Sequence, residues 1–304
     1  MRPSYGTTAK GFASGSAMSR HPGAIIGFVA EAEDDALLQA AQGGDAAALD
    51  DLLKRYQPQI IRFGMKMCRD PEDAQEILQE TLFAAARTLR GFRGASSLST
   101  WLYTIARSFC IKRRRRGVLA PEVVSLDSES SGALAAPDLA PDPERSLADR
   151  EVGAALEAAI ASLDPGHREV LLLRDVEGLP AAEVAQVTGL SVPAVKSRLH
   201  RARATVRDRL APLLAPGPRQ PGTGPDVCPD VVDVLSRHLE GDIGPAACVE
   251  MERHVSACPR CHAACESLRQ TLRLCGSTPA PAVPETLQRS IREGIRAVLA
   301  ERHA

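Results

Sequence analysis

His254-Val255-Ser256-Ala257-Cys258-Pro259-Arg260-Cys261 sets a histidine four residues before a cysteine, with a second cysteine three residues further on. Four residues is one helical turn, so His254 and Cys258 can address one ion, and Cys258 with Cys261 makes the tight thiolate pair common at metal sites. Cys228, upstream, supplies the fourth ligand that a tetrahedral ion wants. Three thiolates and one imidazole are soft donors that select zinc over hard cations. The expectation is therefore one zinc ion on Cys228, His254, Cys258 and Cys261. Cys248, Cys265, Cys275 and His262 are spare donors, so the fourth ligand stays open. Two alternatives stand beside this reading: a cluster of reduced thiols without metal, and a redox site whose oxidation ejects zinc and forms disulfides. Cys68 and Cys110 lie within helical apolar stripes and read as small core residues.

The second chemistry is electrostatic. Val195, Leu199, Ala202, Val206 and Leu210 recur at helical spacing and make one apolar stripe. Lys196, Arg198, Arg201, Arg203, Arg207 and Arg209 surround the rest of that cylinder, with Asp208 the only acid. A helix with one buried stripe and a basic remainder can dock on a small core and lie against a polyanion. Leu179–Thr188 reads as a short preceding helix, and Gly189-Leu190-Ser191 as a tight turn with a capping serine. The pair forms a helix-turn-helix.

These groups need elements to hold them, and composition says the elements are helices. Aromatic residues make up 3% of the 304 residues and β-rich runs are scarce, so the expected fold class is all-α. The expected architecture is two small helical domains and a small helical zinc-binding module, joined by flexible linkers. Residues 1–30 read as a disordered tail, within which Met18 competes with Met1 as the start. Residues 31–116 form a first helical domain, with separate helices around Leu49–Tyr56 and Ile60–Met67, another opened by Asp70-Pro71-Glu72-Asp73, and one carrying Leu98, Trp101, Leu102, Ile105 and Phe109. Residues 117–149 read as an acidic flexible linker, 150–214 as the helix-turn-helix domain and 215–226 as a Pro/Gly linker. The cysteine module occupies 227–278, and 279–304 holds an amphipathic helix with Leu287, Ile291, Ile295, Val298 and Leu299 on one face. The net charge of −1 hides strong segregation: basic runs lie at Lys112–Arg116 and Lys196–Arg209. No apolar run approaches a membrane span and no signal peptide is visible, so no membrane association and a cytoplasmic location are expected.

Four separated stretches resemble, in order, the motifs of extracytoplasmic-function sigma factors, the minimal sigma-70 type carrying regions 2 and 4. They are Glu72-Asp73-Ala74-Gln75-Glu76-Ile77-Leu78-Gln79-Glu80-Thr81-Leu82-Phe83, then Phe92-Arg93-Gly94, then Ser99-Thr100-Trp101-Leu102-Tyr103-Thr104-Ile105-Ala106-Arg107, and finally Val195–Arg203. The resemblance covers roughly half of the chain, residues 34–116 and 150–214. It implies a non-enzymatic factor that binds core RNA polymerase and promoter DNA. Asp73, Glu76, Gln79 and Glu80 would meet the polymerase, with electrostatics setting encounter and register. Phe92–Thr100 would form the loop that captures a flipped base of the −10 element, with Phe92, Arg93, Ser96, Ser97, Tyr103, Arg107, Lys112 and Arg113 touching that DNA. Trp101, on the apolar stripe, reads as core instead. Ala95 and Ser108 depart from the family's usual acid and Asn, which puts −10 preference in doubt. For the −35 element, Ser197, His200 and Arg201 are assigned to base edges and Lys196, Arg198 and Arg203 to phosphates.

The segment Cys228–Cys261, with Leu239-Glu240-Gly241-Asp242 inside it, resembles the zinc-binding anti-sigma domain. Fused here, it implies regulation in cis through a flexible tether, whose sign the sequence leaves open. A metal- or redox-responsive helix-turn-helix regulator that works without core polymerase is the competing reading, and it leaves the Asp73–Phe83 and Trp101 motifs without a purpose. A thiol oxidoreductase would want a strand and helix pattern around Cys258 and Cys261 that is absent.

Overall fold

The computed structural model describes residues 34–68, 70–119, 143–214 and 228–300, and all regular structure among them is helical. The expected tail, the centre of the acidic linker and the Pro/Gly tether fall outside the described residues. Helix α1 covers 34–42 and α2 Ala46–Cys68. Asp45 caps α2 by accepting from the N–H groups of Ala47 at 2.8 Å and Ala48 at 3.1 Å. Sequence reading split this stretch into two helices, but α2 is continuous through Pro58. Leu52, Leu53, Ile60 and Ile61 bury on either side of the proline, and that burial outweighs the ~3 kcal/mol a mid-helix proline costs.

Asp70 accepts from the N–H of Glu72 and Pro71 fills the first position, which starts α3 (Pro71–Thr88) where the sequence placed it. Helix α4 (Leu98–Leu119) completes the first domain, and Phe63 meets Tyr103 edge-on at 5.5 Å in its core. Helix α4 runs to Leu119 and α5 (Pro143–Ala161) begins before residue 149, so helix takes both ends of the expected linker. Helix α6 (Pro165–Leu171) flows into a π turn, Leu172–Val176, that carries Arg174 and Asp175. Buried Arg168 closes the end of α5, donating to the carbonyls of Ile160, Ala161 and Leu163 at 3.2, 2.6 and 2.8 Å.

Helices α7 (Ala181–Thr188) and α8 (Val192–Leu214) are joined by a turn in which Gly189 takes φ +71 and returns its N–H to Ala185. A left-handed residue at that cap favours glycine, and the helix-turn-helix follows from it. Beyond lie α9 (Val231–Leu239), α10 (Pro245–Ala257), α11 (Pro259–Gly276) and α12 (Glu285–Ala300).

The modules are not beads on a string. Helix α11 packs on α8 and α5, while α12 crosses to α3 and α2. The main apolar core runs without interruption through both sigma-like domains and α12; a smaller core surrounds Cys258, Cys261, Cys265 and Leu268. A 16-residue helix is marginal alone in water. Helix α12 is stable here because Leu287, Ile291, Ile295 and Val298 are buried, each worth about 1.5–3 kcal/mol.

Candidate functional site

The ligand atoms of Cys228, His254, Cys258 and Cys261 lie within 4.8 Å of one another. His254 comes from the last turn of α10, Cys258 sits at the junction with α11, Cys261 on the first turn of α11, and Cys228 just before α9. Cys228 and Cys258 hold their sulfurs 3.9 Å apart, close to the about 3.8 Å edge of a tetrahedron with zinc–sulfur bonds near 2.3 Å. His254 Nε2 is 3.1 Å from Cys261 Sγ. The donor set and its spacing fit zinc. The backbone N–H of Cys261, at the start of α11, holds the Cys258 thiol below its usual range, whereas burial pushes Cys261 up to about 12. Of the spare donors, Cys248 pairs with His238 at 3.1 Å, and Cys265 and Cys275 are buried in apolar surroundings.

On α8, Ser197 and Arg201 are exposed and Arg198 lies half-buried beside Gly166. Lys196 donates to the Glu240 carbonyl at 3.1 Å and pairs with Asp242, and His200 faces Asp233 at 3.6 Å. Arg203, assigned to a phosphate by sequence, has no exposed surface. It grips Asp175 of the π turn through two bonds, 2.9 and 2.6 Å, and reaches Ser236 at 3.0 Å and Glu240 at 2.8 Å in the cysteine module. Burial opposes its charge, but Asp175 and Glu240 hold it more firmly protonated than an ordinary arginine. With the C-terminal module in place Arg203 is thus a buried anchor: its position on α8 points at the acid of the preceding turn, and Glu240 takes the side that a phosphate would need.

The α4 surface is occupied in the same manner. Ser97 caps α4 and donates to Glu183 of α7 at 2.7 Å, joined there by Thr100. Arg107 pairs with Glu169 of α6. Tyr103, expected against DNA, is buried and donates to Glu177 at 2.7 Å; burial first, then Glu177, raises its hydroxyl well above the ordinary tyrosine range. Trp101, expected in the core, is only half-buried and tilts on Phe92 at 5.2 Å. The helical stripe was right to one residue: Tyr103 points between α2 and the second domain, and Trp101 packs the loop. Arg93 is exposed, Ser96 bonds only within the loop, and Lys112 caps the Phe109 ring at 5.2 Å. Gln42 holds the loop by donating to the carbonyls of Leu89 and Phe92 at 3.1 and 2.7 Å.

On α3, Asp73 and Glu76 both pair with Arg113 of α4, which keeps the Glu76 carboxyl below its usual range. Glu80 is exposed, and Gln79 donates to Ser290 of α12 at 3.3 Å. The Phe83 ring lies on Gly294 so closely that a Cβ there would collide with its Cζ and Cε1. Arg292 adds a 3.0 Å bond to Asp50.

Sequence reading missed the carboxylates that organise these contacts. Arg62 of α2 takes Glu177 in two bonds of 2.9 and 2.6 Å and donates to the Thr278 carbonyl at 2.9 Å, joining both sigma-like domains to the segment before α12. Glu169, Glu177 and Glu183 follow no spacing that singles them out; Glu240 and Asp242 lay in a motif already noted.

The family model of sigma-70 region 2 matches residues 52–118, that of sigma-70 region 4 matches 153–206, and a zinc-finger family model matches 228–262. The chain is 34% identical over 192 residues to the RNA polymerase sigma-H factor of Pseudomonas aeruginosa, covering 62% of this chain and 98% of that protein. It is 33% identical over 184 residues to the ECF RNA polymerase sigma factor SigM of Mycobacterium tuberculosis, covering 60% and 86%. To the ECF RNA polymerase sigma factor SigE of Mycolicibacterium smegmatis it is 31% identical over 172 residues, covering 55% and 65%. Among solved structures, CnrH in complex with the cytosolic domain of CnrY is 24% identical, covers 59% of this chain and 97% of that one, and has a TM-score of 0.43.

Proposed function

The chain belongs to the extracytoplasmic-function RNA polymerase sigma factors, and we propose on that footing that it is held closed by its own C-terminal module. A sigma factor directs promoter recognition and transcription initiation. In this chain the polymerase-binding face is assigned to Asp73, Glu76, Gln79 and Glu80 on α3, −10 contacts to the loop and α4, and −35 contacts to α8. Membership in this family supports that reading over a regulator that works without core polymerase. Among the described residues no helix is long and apolar enough to cross a membrane.

Cys228, His254, Cys258 and Cys261 are the residues that would hold one zinc ion. Bound there, zinc would supply a structural cross-link between the start of α9 and the α10–α11 junction. The module then acts as a clamp. Helix α11 packs on α8, and α12 lies along Gln79 and Phe83 of α3. The observation that carries the reading is α12 on α3: a partner surface docking on that helix would contend with α12 at Gln79 and beside Phe83. The three glutamates Glu169, Glu177 and Glu183 on the α4 surface support a closed form in which −10 groups already have partners.

Run-off transcription with core polymerase tests this, comparing the whole chain with a version ending at Ala215. Inhibition in cis expects the shortened chain to initiate and the intact one to be nearly silent. If only the intact chain initiates, the module is a positive element and the clamp is wrong.

A further inference from the structure

We propose that Arg174, Lys196, His200 and Arg203 form a phosphate-binding cradle along one flank of α8, in which Asp233, Glu240 and Asp242 of the C-terminal module stand in for a DNA backbone. The proposal rests on reading α8 as the helix that meets promoter duplex. Lys196, His200 and Arg203 are spaced four and three residues apart, one face of a helix. They span about 10 Å of rise, the axial distance covered by about three phosphates of one strand. Along it the module sets three carboxylates in order: Asp242 at Lys196, Asp233 at His200 and Glu240 at Arg203.

The detail at Glu240 is that of a bound phosphate. Each carboxylate oxygen takes its own guanidinium, Oε1 accepting from Arg203 at 2.8 Å and Oε2 from Arg174 at 3.1 Å, as two non-bridging phosphate oxygens would. Its carbonyl accepts from Lys196 at 3.1 Å, and Gly241, at φ +71, turns the chain so that Asp242 also reaches that ammonium. The stand-in is imperfect at His200, whose buried Nδ1 has no hydrogen-bond partner and sits 3.6 Å from Asp233. Ser197 and Arg201, on the adjoining face, stay exposed. A duplex seated by those two side chains would bring its backbone to the flank that the module fills. Module and duplex are therefore mutually exclusive on α8, and Arg174 joins the residues that bind promoter phosphate.

The test is fluorescence anisotropy of a labelled 20-base-pair duplex of mixed sequence with the full chain across a salt series. Asp233→Asn/Asp242→Asn removes two half-exposed acids without touching the buried Glu240. At low salt it should bind roughly fivefold to tenfold tighter than wild type, with a log K against log salt slope steeper by about one to two. The control Glu250→Gln/Glu252→Gln removes the same charge from the exposed face of α10 and should leave both quantities near wild type. Adding Lys196→Gln to the first variant should remove most of the gain. An unchanged affinity and slope, a gain equal to the control's, or a gain that survives Lys196→Gln would each overturn the cradle. Tighter duplex binding without more run-off product would uphold the cradle and defeat the inhibitory clamp, so the two readings fail separately.

Discussion

Arg203 and Arg201 differ by two positions, and with the C-terminal module in place one is buried and the other exposed. Arg203 and its partner Asp175 are fully buried, so Arg203→Ala strands a carboxylate in the interior and should cost about 3–5 kcal/mol of unfolding free energy in urea titration. Arg201→Ala, on the exposed face, should stay within about 0.5 kcal/mol of wild type, yet weaken binding to a cognate −35 duplex by about 1–3 kcal/mol. Equal stabilities for the two variants would return Arg203 to the surface. A thiol gives a second residue-scale outcome. Burial pushes Cys275 up to about 12 from an ordinary 9.0, so the folded chain keeps a proton that the unfolded chain gives up. The sign follows: stability from this group is intact below about pH 9 and is lost as pH climbs toward 12. Urea midpoints between pH 8 and 10.5 should fall for wild type and fall less for Cys275→Val. Identical slopes would show that Cys275 is not held protonated.

At the scale of an element, α12 is the sharpest case. Gly294 sits in the middle of a helix, where alanine or valine would ordinarily be favoured over glycine by up to about 1 kcal/mol. Here the Phe83 ring occupies the place a Cβ needs, so the sign reverses. Gly294→Val should lift α12 from α3 at a cost of about 1–3 kcal/mol, visible as faster proteolysis within 285–300 and higher run-off activity of the full chain. Unaltered proteolysis would mean that Phe83 swings aside. The stripe Leu287, Ile291, Ile295 and Val298 was legible in sequence as an amphipathic face; its partner was not, because an apolar stripe specifies that it must be buried and not against what. Continuity of α2 through Pro58 was illegible for the same reason: the proline's local penalty is written in the chain, and the burial that overrides it comes from α3 and α4.

For the whole molecule, the closed form depends on three kinds of contact: α12 on α3, carboxylates on α8 and α4, and the Arg62 junction with Glu177 and Thr278. The cysteine module anchors only part of this. A strong chelator at neutral pH should release about one zinc ion per chain and lower helicity, because the small core around Cys258 and Cys261 would lose its cross-link. It should also raise initiation in run-off assays. Metal analysis and circular dichroism read the first two effects; a chelated chain that keeps its helices and its silence would separate the metal from the clamp.

Sequence alone determined the local and periodic features: an all-α fold class, the helix-turn-helix with its tight turn at Gly189, the start of α3 at Asp70-Pro71, and a Cys3His set whose spacing suits one tetrahedral ion. Each follows from neighbours within a turn or two, where backbone geometry dictates what can meet. Only the tertiary structure decided which polar groups face water. Tyr103 and Trp101 are two residues apart on one helix, and it is Tyr103 that the second domain buries beside Glu177. Arg203 shares its basic run with Arg201, and a carboxylate 28 residues away in sequence selects it for the interior. Charge patterns announce that a partner is wanted, but a carboxylate and a phosphate satisfy an arginine through the same bonds, so the sequence pattern of α8 could not distinguish promoter DNA from the chain's own acids.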